Sequence, residues 1–564
     1  MKYLPEYNGP PLRVIVIGPP GTGKTVVVNA ALRHVNSWGL SHAVRCGSYT
    51  GKAAQLIRKK GRTLSSLNNK KEAKVEFESA KCFLVDELSM TSLDMLDKLR
   101  ETVEVGKSRP SGADGFSGMH MALIGDPCQF QCIDGLPLHK FALLVGRPDA
   151  PALLKKIMNS KALEKSRTPA TRRKRAEAIV RSLTLLQTFK DVVILDEQKR
   201  VQDAEWNEML GRMRFCYHHT HVPKDQRDYW IKRDYALLES CLIKNASKEK
   251  CNSLRDAPMI ATRNATRMVV GNMRMVDYAK RNGKPIIRYT NTADDMILRK
   301  GESSKPATSI HKILAQLLLE LPDKYCNGRP KRFTYCEGYR SVLNDNGAVE
   351  LGHVSTVSSV QSHDSEGSRQ FPRRPFTFTQ ANGVTGTTVS IALDDREPPH
   401  KGGLYWDLEY APAYILFRPD DPFHESLAGL PDGIFMVFPE KTTFAYNVPT
   451  AMRRFVQGRK TLSVIRGPCF AISQAMVGSD YTWQGSTAYK GAHLDLAQPR
   501  DGVPLKLPNV YVMCSRVPGR AFCLILRLFP IEVLKNLRID KDLLHFLNRL
   551  EELQATTLKR HTVA

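Results

Sequence analysis

Gly18-Pro19-Pro20-Gly21-Thr22-Gly23-Lys24-Thr25 is the stretch with the clearest chemistry in this chain. Its flanks suit its letters. Arg13-Val14-Ile15-Val16-Ile17 is a β-branched run that predicts a buried strand, and Val26 to Val35 carries a helical signal. Strand, glycine loop and helix together make a phosphate cradle. Glycines let backbone N–H groups close on the anion, and the helix N-terminus adds a favourable dipole. Lys24 is expected to reach the terminal phosphates and Thr25 to hold Mg²⁺, so the pattern points to a nucleoside triphosphate.

A second chemical pair ends the apolar run Lys81-Cys82-Phe83-Leu84-Val85-Asp86-Glu87. Asp86 suits the Mg²⁺ shell, and Glu87 can polarise an attacking water. A third run, Met121 to Ile124, ends in Gly125-Asp126-Pro127-Cys128-Gln129. Open α/β sheets place ligands at such strand ends, so Gln129 is a candidate γ-phosphate sensor, although Gly-Asp-Pro is also a plain turn signal. Ser48-Tyr49-Thr50-Gly51-Lys52-Ala53-Ala54 is a small, hydroxyl-rich turn opening a helix. It suits a nucleic-acid phosphate backbone, and it equally suits an ordinary helix cap.

The elements that position these groups need a large protein. At 564 residues the chain has room for three or four domains, and 42% apolar with 25% charged residues is the composition of folded protein. Lys and Arg number 83 against 57 Asp and Glu, a net +26. Nucleic acid is the polyanion that best accounts for this excess, a solvated basic surface being the alternative. The basic run from Lys155 to Arg181, densest at Thr171-Arg172-Arg173-Lys174-Arg175, reads as a nuclear-import signal, a nucleic-acid patch or a solvated helix face. Twelve cysteines without a C-x-x-C pair suggest reduced thiols. Cys216-Tyr217-His218-His219-Thr220-His221 lacks a second ligand pair and reads as a polar helix end. No signal peptide and no membrane-length apolar run are expected, which predicts a soluble intracellular protein without a membrane partner.

In this order, Gly18–Thr25, Thr50–Ala54, Asp86-Glu87-Leu88-Ser89-Met90 and Gly125-Asp126-x-x-Gln129 resemble the first-lobe motifs of superfamily-one helicases, and the Asp-Glu-x-Ser-Met form resembles the Pif-one branch related to RecD. Later motifs extend the resemblance. Val192 to Leu195 leads into Asp196-Glu197-Gln198-Lys199-Arg200, similar to the family's arginine motif. Pro258 to Asn264 resembles its strand-to-helix step. Ala381-Asn382-Gly383-Val384-Thr385-Gly386-Thr387-Thr388-Val389 resembles the Asn-Gly element entering its small β-barrel. Ser479-Asp480-Tyr481-Thr482-Trp483-Gln484-Gly485-Ser486-Thr487 is similar to Ser-x-His-Lys-x-Gln-Gly-x-Thr, and Asn509 to Arg516 to Val-Tyr-Val-Ala-Leu-Ser-Arg.

The resemblance implies an α/β fold of two RecA-like P-loop NTPase lobes, parallel sheets flanked by helices, with a small SH3-like β-barrel in the second lobe. The implied division is 1–190 for the first, ATP-binding lobe and 191–350 for the start of the second. Residues 351–460 would form a linker and β-rich insert, 461–530 the rest of the second lobe and 531–564 a C-terminal helix. It implies an ATP-dependent helicase moving 5′-to-3′ on single-stranded DNA, acting as a nuclear monomer on DNA and DNA junctions, alone or with an accessory protein. Gly18, Pro19, Pro20, Gly21, Thr22, Gly23, Lys24, Thr25, Gln484 and Gly485 would hold ATP. Thr25 and Asp86 would bind Mg²⁺. Lys24, Asp86, Glu87 and Gln129 would act with two arginines, Arg200 and Arg516, the latter at a strand end. Thr50, Gly51, Lys52, Thr262, Arg263, Asn264, Ser486 and Thr487 would touch DNA.

Departures from the family pattern fit a divergent, transposon-borne (Helitron-like) copy. The dozen residues before Arg13 hold no Gln where the family is expected to read adenine, Gln129-Phe130-Gln131-Cys132-Ile133 replaces Gln-Leu-Pro-Pro-Val, and Tyr481-Thr482 replaces His-Lys. The rival reading is an inactive nucleic-acid-binding remnant of a mobile element. Only Leu67 to Ala80 separates the turn Thr63-Leu64-Ser65-Ser66 from the Asp-Glu strand, where the family carries its duplex-splitting wedge.

Overall fold

In a computed structural model, the described residues are 10–49, 54, 57, 61–110, 115–133, 135–144, 150–160, 163, 168–215, 217, 222–291, 295–298, 312–321, 325–344, 348–350, 377–379, 384–420, 430–431, 433–498 and 504–562. The chain divides into two units, Met1–Arg267 with Gly478–Ala564, and Met268–Val477.

The first unit opens with six strands: β1 (Arg13–Ile17), β2 (Val44–Ser48), β3 (Gly61–Thr63), β4 (Cys82–Asp86), β5 (His120–Gly125) and β6 (Asp191–Ile194). They form one sheet in the order β3-β2-β4-β5-β1-β6, with every pairing parallel. Alternation along the strands feeds two faces. Ile15, Ile17, Phe83, Val85 and Leu123 join one apolar cluster, while Val28, Leu32, Val44 and Ile124 join another with Val16 and Leu84. A sheet covered on both faces by helices is the RecA-like arrangement. The register sets Ile17 beside Gly125 and Ser48 beside Asp86, so the residues following β1, β4 and β5 emerge at one rim.

Two helices brace that sheet, Leu93–Lys107 and Pro169–Gln187. The second contains the basic cluster. Arg175 pairs with Asp94 at 2.9 Å and Arg181 with Asp97 at 2.7 Å, so two of its cations are ion-paired to the neighbouring helix.

A second sheet in the same unit runs Val477–Ser479, Met259–Ala261, Ala492–Leu496, Cys523–Leu528, with the last three strands parallel. The expected strand before Arg516 is instead a helix, Leu507–Cys514. Pro508 sits in its first turn, and Asn509 Oδ1 accepts from Lys506 N at 3.0 Å. Val510 to Cys514 are all buried, and a run buried all round shows no period to tell helix from strand.

The helix Lys541–Thr562 serves both sheets. Leu543 and Leu547 lie in the core around Trp206, Tyr511 and Ile525, whereas Leu550 lies in the core around Ile15 and Phe83. Thr557 Oγ1 accepts from Val192 N at 3.0 Å, and Arg560 pairs with Asp191, so this helix covers the outer edge of β6.

The second unit is rich in strands, which begin at Ile286, well ahead of residue 351. Its largest sheet has five strands, in the order Phe435–Val437, Tyr414–Pro419, Thr385–Ala392, Arg340–Leu343, Ile472–Gln474, all antiparallel. Elsewhere in it Arg466, fully buried, pairs with Asp295 at 3.1 Å. Ala381, Asn382 and Gly383 lie outside the described residues, as do Cys216 and His218 to His221. Among the described residues, no helix is long and apolar enough to cross a membrane.

Candidate active site

The loop after β1 is built for close approach. Gly21 and Gly23 have φ of 94° and 86°, left-handed conformations that side chains resist. A Cβ on Gly18 would stand 2.4 Å from the Leu195 carbonyl, and one on Gly21 would stand 2.1 Å from Gln198 Oε1. Lys24, first residue of the helix Lys24–Ser37, folds back to donate to Gly18 O at 2.7 Å and Pro19 O at 2.8 Å. Burial lowers its pKa to about 8 against the opposing pull of Asp126, Glu87 and Asp86. A phosphate in the loop would give this ammonium a charged partner in place of two carbonyls. Pro19 and Pro20 shape the same loop, whose Pro19 O also accepts from Thr22 Oγ1 at 2.9 Å.

Asp86 ends β4 and Glu87 follows, both buried. Glu87 sits at φ 59°, and its N–H donates to Asp86 Oδ1 at 2.8 Å. Burial first, and then the neighbouring Glu87 charge, push the Asp86 pKa up to about 7. Two crowded carboxylates beside an anion-binding loop are a donor set that suits a divalent cation, which Asp86 and Thr25 would hold.

Both candidate glutamines are buried in the same unit. Gln484 donates from Nε2 to Glu87 Oε2 at 2.9 Å, which joins the second sheet's segment to the first sheet's acid. The Oε1 atoms of Gln129 and Gln484 are buried with no hydrogen-bond partner among the described residues. Such orphans are costly and mark a place for water or ligand. Gly485, at φ 77°, leaves room where a Cβ would stand 3.2 Å from Glu87 Oε1.

The arginines sit differently from expectation. Arg200 belongs to the first sheet's rim, because β6 pairs with β1 and Lys199 N donates to Gly21 O at 2.9 Å. Gln198 locks this in place. Its Nε2 donates to Pro20 O at 2.9 Å, and its Oε1 accepts from Arg200 N at 3.0 Å. Arg200 Nη1 reaches across to Ser515 O at 3.1 Å. Arg516 follows a helix and is fully buried. It donates to Val512 O, Trp483 O, Ser486 O and Ser515 Oγ. Burial, then the Arg200 charge, lower its pKa to about 9.

Comparison with known proteins addresses the fold. Residues 9–185 match a family model described as an AAA domain. No curated protein matches the sequence. Among solved structures, the Pif1 helicase from Candida albicans is 15% identical, with 96% of each chain covered and a TM-score of 0.52. Bacteroides Pif1 bound to single-stranded DNA is 14% identical, over 96% of this chain and 94% of that one, with a TM-score of 0.54. Pif1 helicase from Bacteroides in complex with ADP-AlF3 and single-stranded DNA is 13% identical, over 97% and 95%, with a TM-score of 0.52. The chain has the Pif1 helicase fold.

Within this Pif1 fold several site residues escaped the sequence reading. Asp126, fully buried, accepts from Cys128 N, from Arg214 Nη2 at 3.1 Å and from Tyr511 OH at 3.0 Å. It ties the loop after β5 to the helix that precedes Arg516. Gly-Asp-Pro reads as a turn in sequence, and Arg214 and Tyr511 have no spacing that links them to it. Gln198 was legible only as a neighbour of Arg200. Thr262 and Arg263 follow the strand Met259–Ala261, and Asn264 opens the helix Asn264–Asn282. Ser486 gives its carbonyl to Arg516, and Thr487 follows it, half-buried. Thr50, Gly51 and Lys52 lie outside the described residues. No group of three metal-ligating side chains occurs among the described residues. A cavity of about 700 Å³ lined by Pro137, His139, Leu505 and Leu537 lies away from Lys24 and Glu87.

Proposed function

We propose that this chain is an ATP-driven DNA motor of the Pif1 type, moving 5′-to-3′ on single-stranded DNA. The observation that carries the reading is the Gln484–Glu87 hydrogen bond, since the water-activating acid of one sheet meets a glutamine from the other. A site completed by two sheets ties hydrolysis to their closure.

The backbone of Gly18 to Gly23 and Lys24 would bind the phosphates, with Thr25 and Asp86 holding Mg²⁺. The metal supplies charge that neutralises the phosphate oxygens. Glu87 accepts a proton from the attacking water, held in place by Gln484 Nε2, while the free Oε1 atoms of Gln129 and Gln484 orient that water. Arg200 and Arg516 answer the charge that develops on the transferred phosphoryl group, Arg200 carried by the phosphate-loop side through Gln198. Thr50, Gly51, Lys52, Thr262, Arg263, Asn264, Ser486 and Thr487 would contact the DNA backbone. The five-stranded antiparallel sheet of the second unit would be the SH3-like barrel. A nuclear setting, action as a monomer and recruitment of an accessory protein belong to the same proposal.

Strand separation by the chain alone should be weak. Within Leu67 to Ala80, the buried Ala73, Phe77 and Ala80 hold the segment down, Ala73 and Phe77 against the helix Leu93–Lys107, leaving little to project as a wedge. The deciding experiment is ATP turnover with and without single-stranded DNA. A chain that binds DNA yet never hydrolyses ATP would instead be the inactive remnant of a mobile element.

A further inference from the structure

Two of the stretches that depart from the family pattern meet in space. Phe130 directly follows Gln129, and Tyr481 stands three residues before Gln484. Their rings are stacked, with centroids 3.9 Å apart and planes 18° from parallel. Phe130 is buried, while Tyr481 is 43% exposed and shows its outer face to solvent.

Backbone hydrogen bonds fix the segment on each side of the ring pair. Gln484 N donates to Tyr481 O at 3.2 Å, and Gln129 N donates to Asp126 O at 3.1 Å, which fixes the turn that carries Phe130. The tyrosine's own segment is anchored from behind. Ser479 caps it by accepting from Thr482 N, and Asp480 accepts from Tyr481 N and from Asn509 Nδ2 at 2.7 Å. These contacts leave the ring pair as a direct side-chain link between the loop holding Gln129 and the segment holding Gln484, whose amide oxygens both lack a partner among the described residues.

We propose that Phe130 and Tyr481 form an aromatic clasp that sets the two glutamines at the hydrolytic site, which makes Tyr481 a positioning residue for ATP hydrolysis. This inference rests on the motor reading given above. The clasp acts through ring contact, so its hydroxyl is dispensable. It acts on the water-orienting glutamines rather than on the phosphate loop, so it governs kcat and leaves the KM for ATP in place. A stacked pair is worth a factor of about five in the population it stabilises.

The test is a double-mutant cycle with wild type, Tyr481→Ala, Phe130→Leu and the double variant, plus Tyr481→Phe. Turnover is read at saturating single-stranded DNA, alongside thermal melting. Each single variant should lose about fivefold in kcat with ATP KM unchanged. The double variant should be no slower than the slower single, and Tyr481→Phe should turn over like wild type. Losses that multiply, a Tyr481→Phe chain as slow as Tyr481→Ala, or melting shifts with kcat untouched would each overturn the clasp. A wild-type chain without DNA-stimulated turnover would sink the motor reading itself and the clasp with it.

Discussion

Arg516 is held by four acceptors, Arg200 by one carbonyl of the opposite segment, and that difference separates their expected mutants. Arg200→Ala should cut DNA-stimulated turnover by roughly 10³ with little change in melting temperature. Arg516→Ala should cut it as far and also destabilise the fold, because the Ser486 carbonyl loses its guanidinium partner, at a cost of about 1–3 kcal/mol. Turnover and melting on the two proteins check both statements, and wild-type turnover in Arg200→Ala would remove that arginine from the site. Glu87→Gln keeps the Gln484 side neutral and hydrogen-bonded but loses the base, so ATP should bind and persist. Lys24→Ala should bind ATP poorly. Identical nucleotide titrations would break this assignment. The sequence made Lys24, Asp86 and Glu87 legible because the chemistry of phosphate needs those types at fixed local spacing. Asp126, Arg214 and Tyr511 were illegible for the opposite reason: a buried polar node is assembled by tertiary contact between distant segments, with no local signature.

Among elements, strands were legible where β-branched residues run together, as in Arg13–Ile17. The fully buried Leu507–Cys514 helix was not, since burial on all sides erases periodicity. The basic cluster illustrates the same limit, for charge alone cannot tell a solvated cation from one paired across helices. Asp97 is buried and paired with Arg181, so Asp97→Ala is expected to lower stability by about 1 kcal/mol or more, with DNA affinity unchanged. Thermal melting and a DNA titration decide it. The turn holding His139 adds a pH dependence. Burial outweighs the nearby Asp540 and Asp542 carboxylates, and with Lys140 opposing protonation it holds the imidazole down to about 4. The unfolded chain binds a proton near 6.5, which the native chain refuses. Stability is therefore full above about pH 6.5 and falls toward pH 4, by up to roughly 3 kcal/mol. His139→Asn should flatten that part of the stability profile between pH 7 and 5. An unchanged slope would assign the acid sensitivity to other groups.

For the whole molecule, the net +26 makes the proposed DNA binding an electrostatic matter. If about five phosphates are neutralised, affinity for single strands should fall about 100-fold from 50 to 200 mM salt. A flat response would contradict backbone tracking. The helix Lys541–Thr562, with Leu543 and Leu547 in one core and Leu550 in the other, has a calorimetric consequence. Two sheets that share the apolar face of one helix cannot lose their cores independently, so heating should melt them as one cooperative transition. Leu550→Ala, which should cost about 2–5 kcal/mol at a fully buried site, would lower that single peak as a whole. Removing the helix before Lys541 should instead split the peak in two, and the heat-capacity trace would then record the separate melting points of two halves that the intact chain never lets unfold apart.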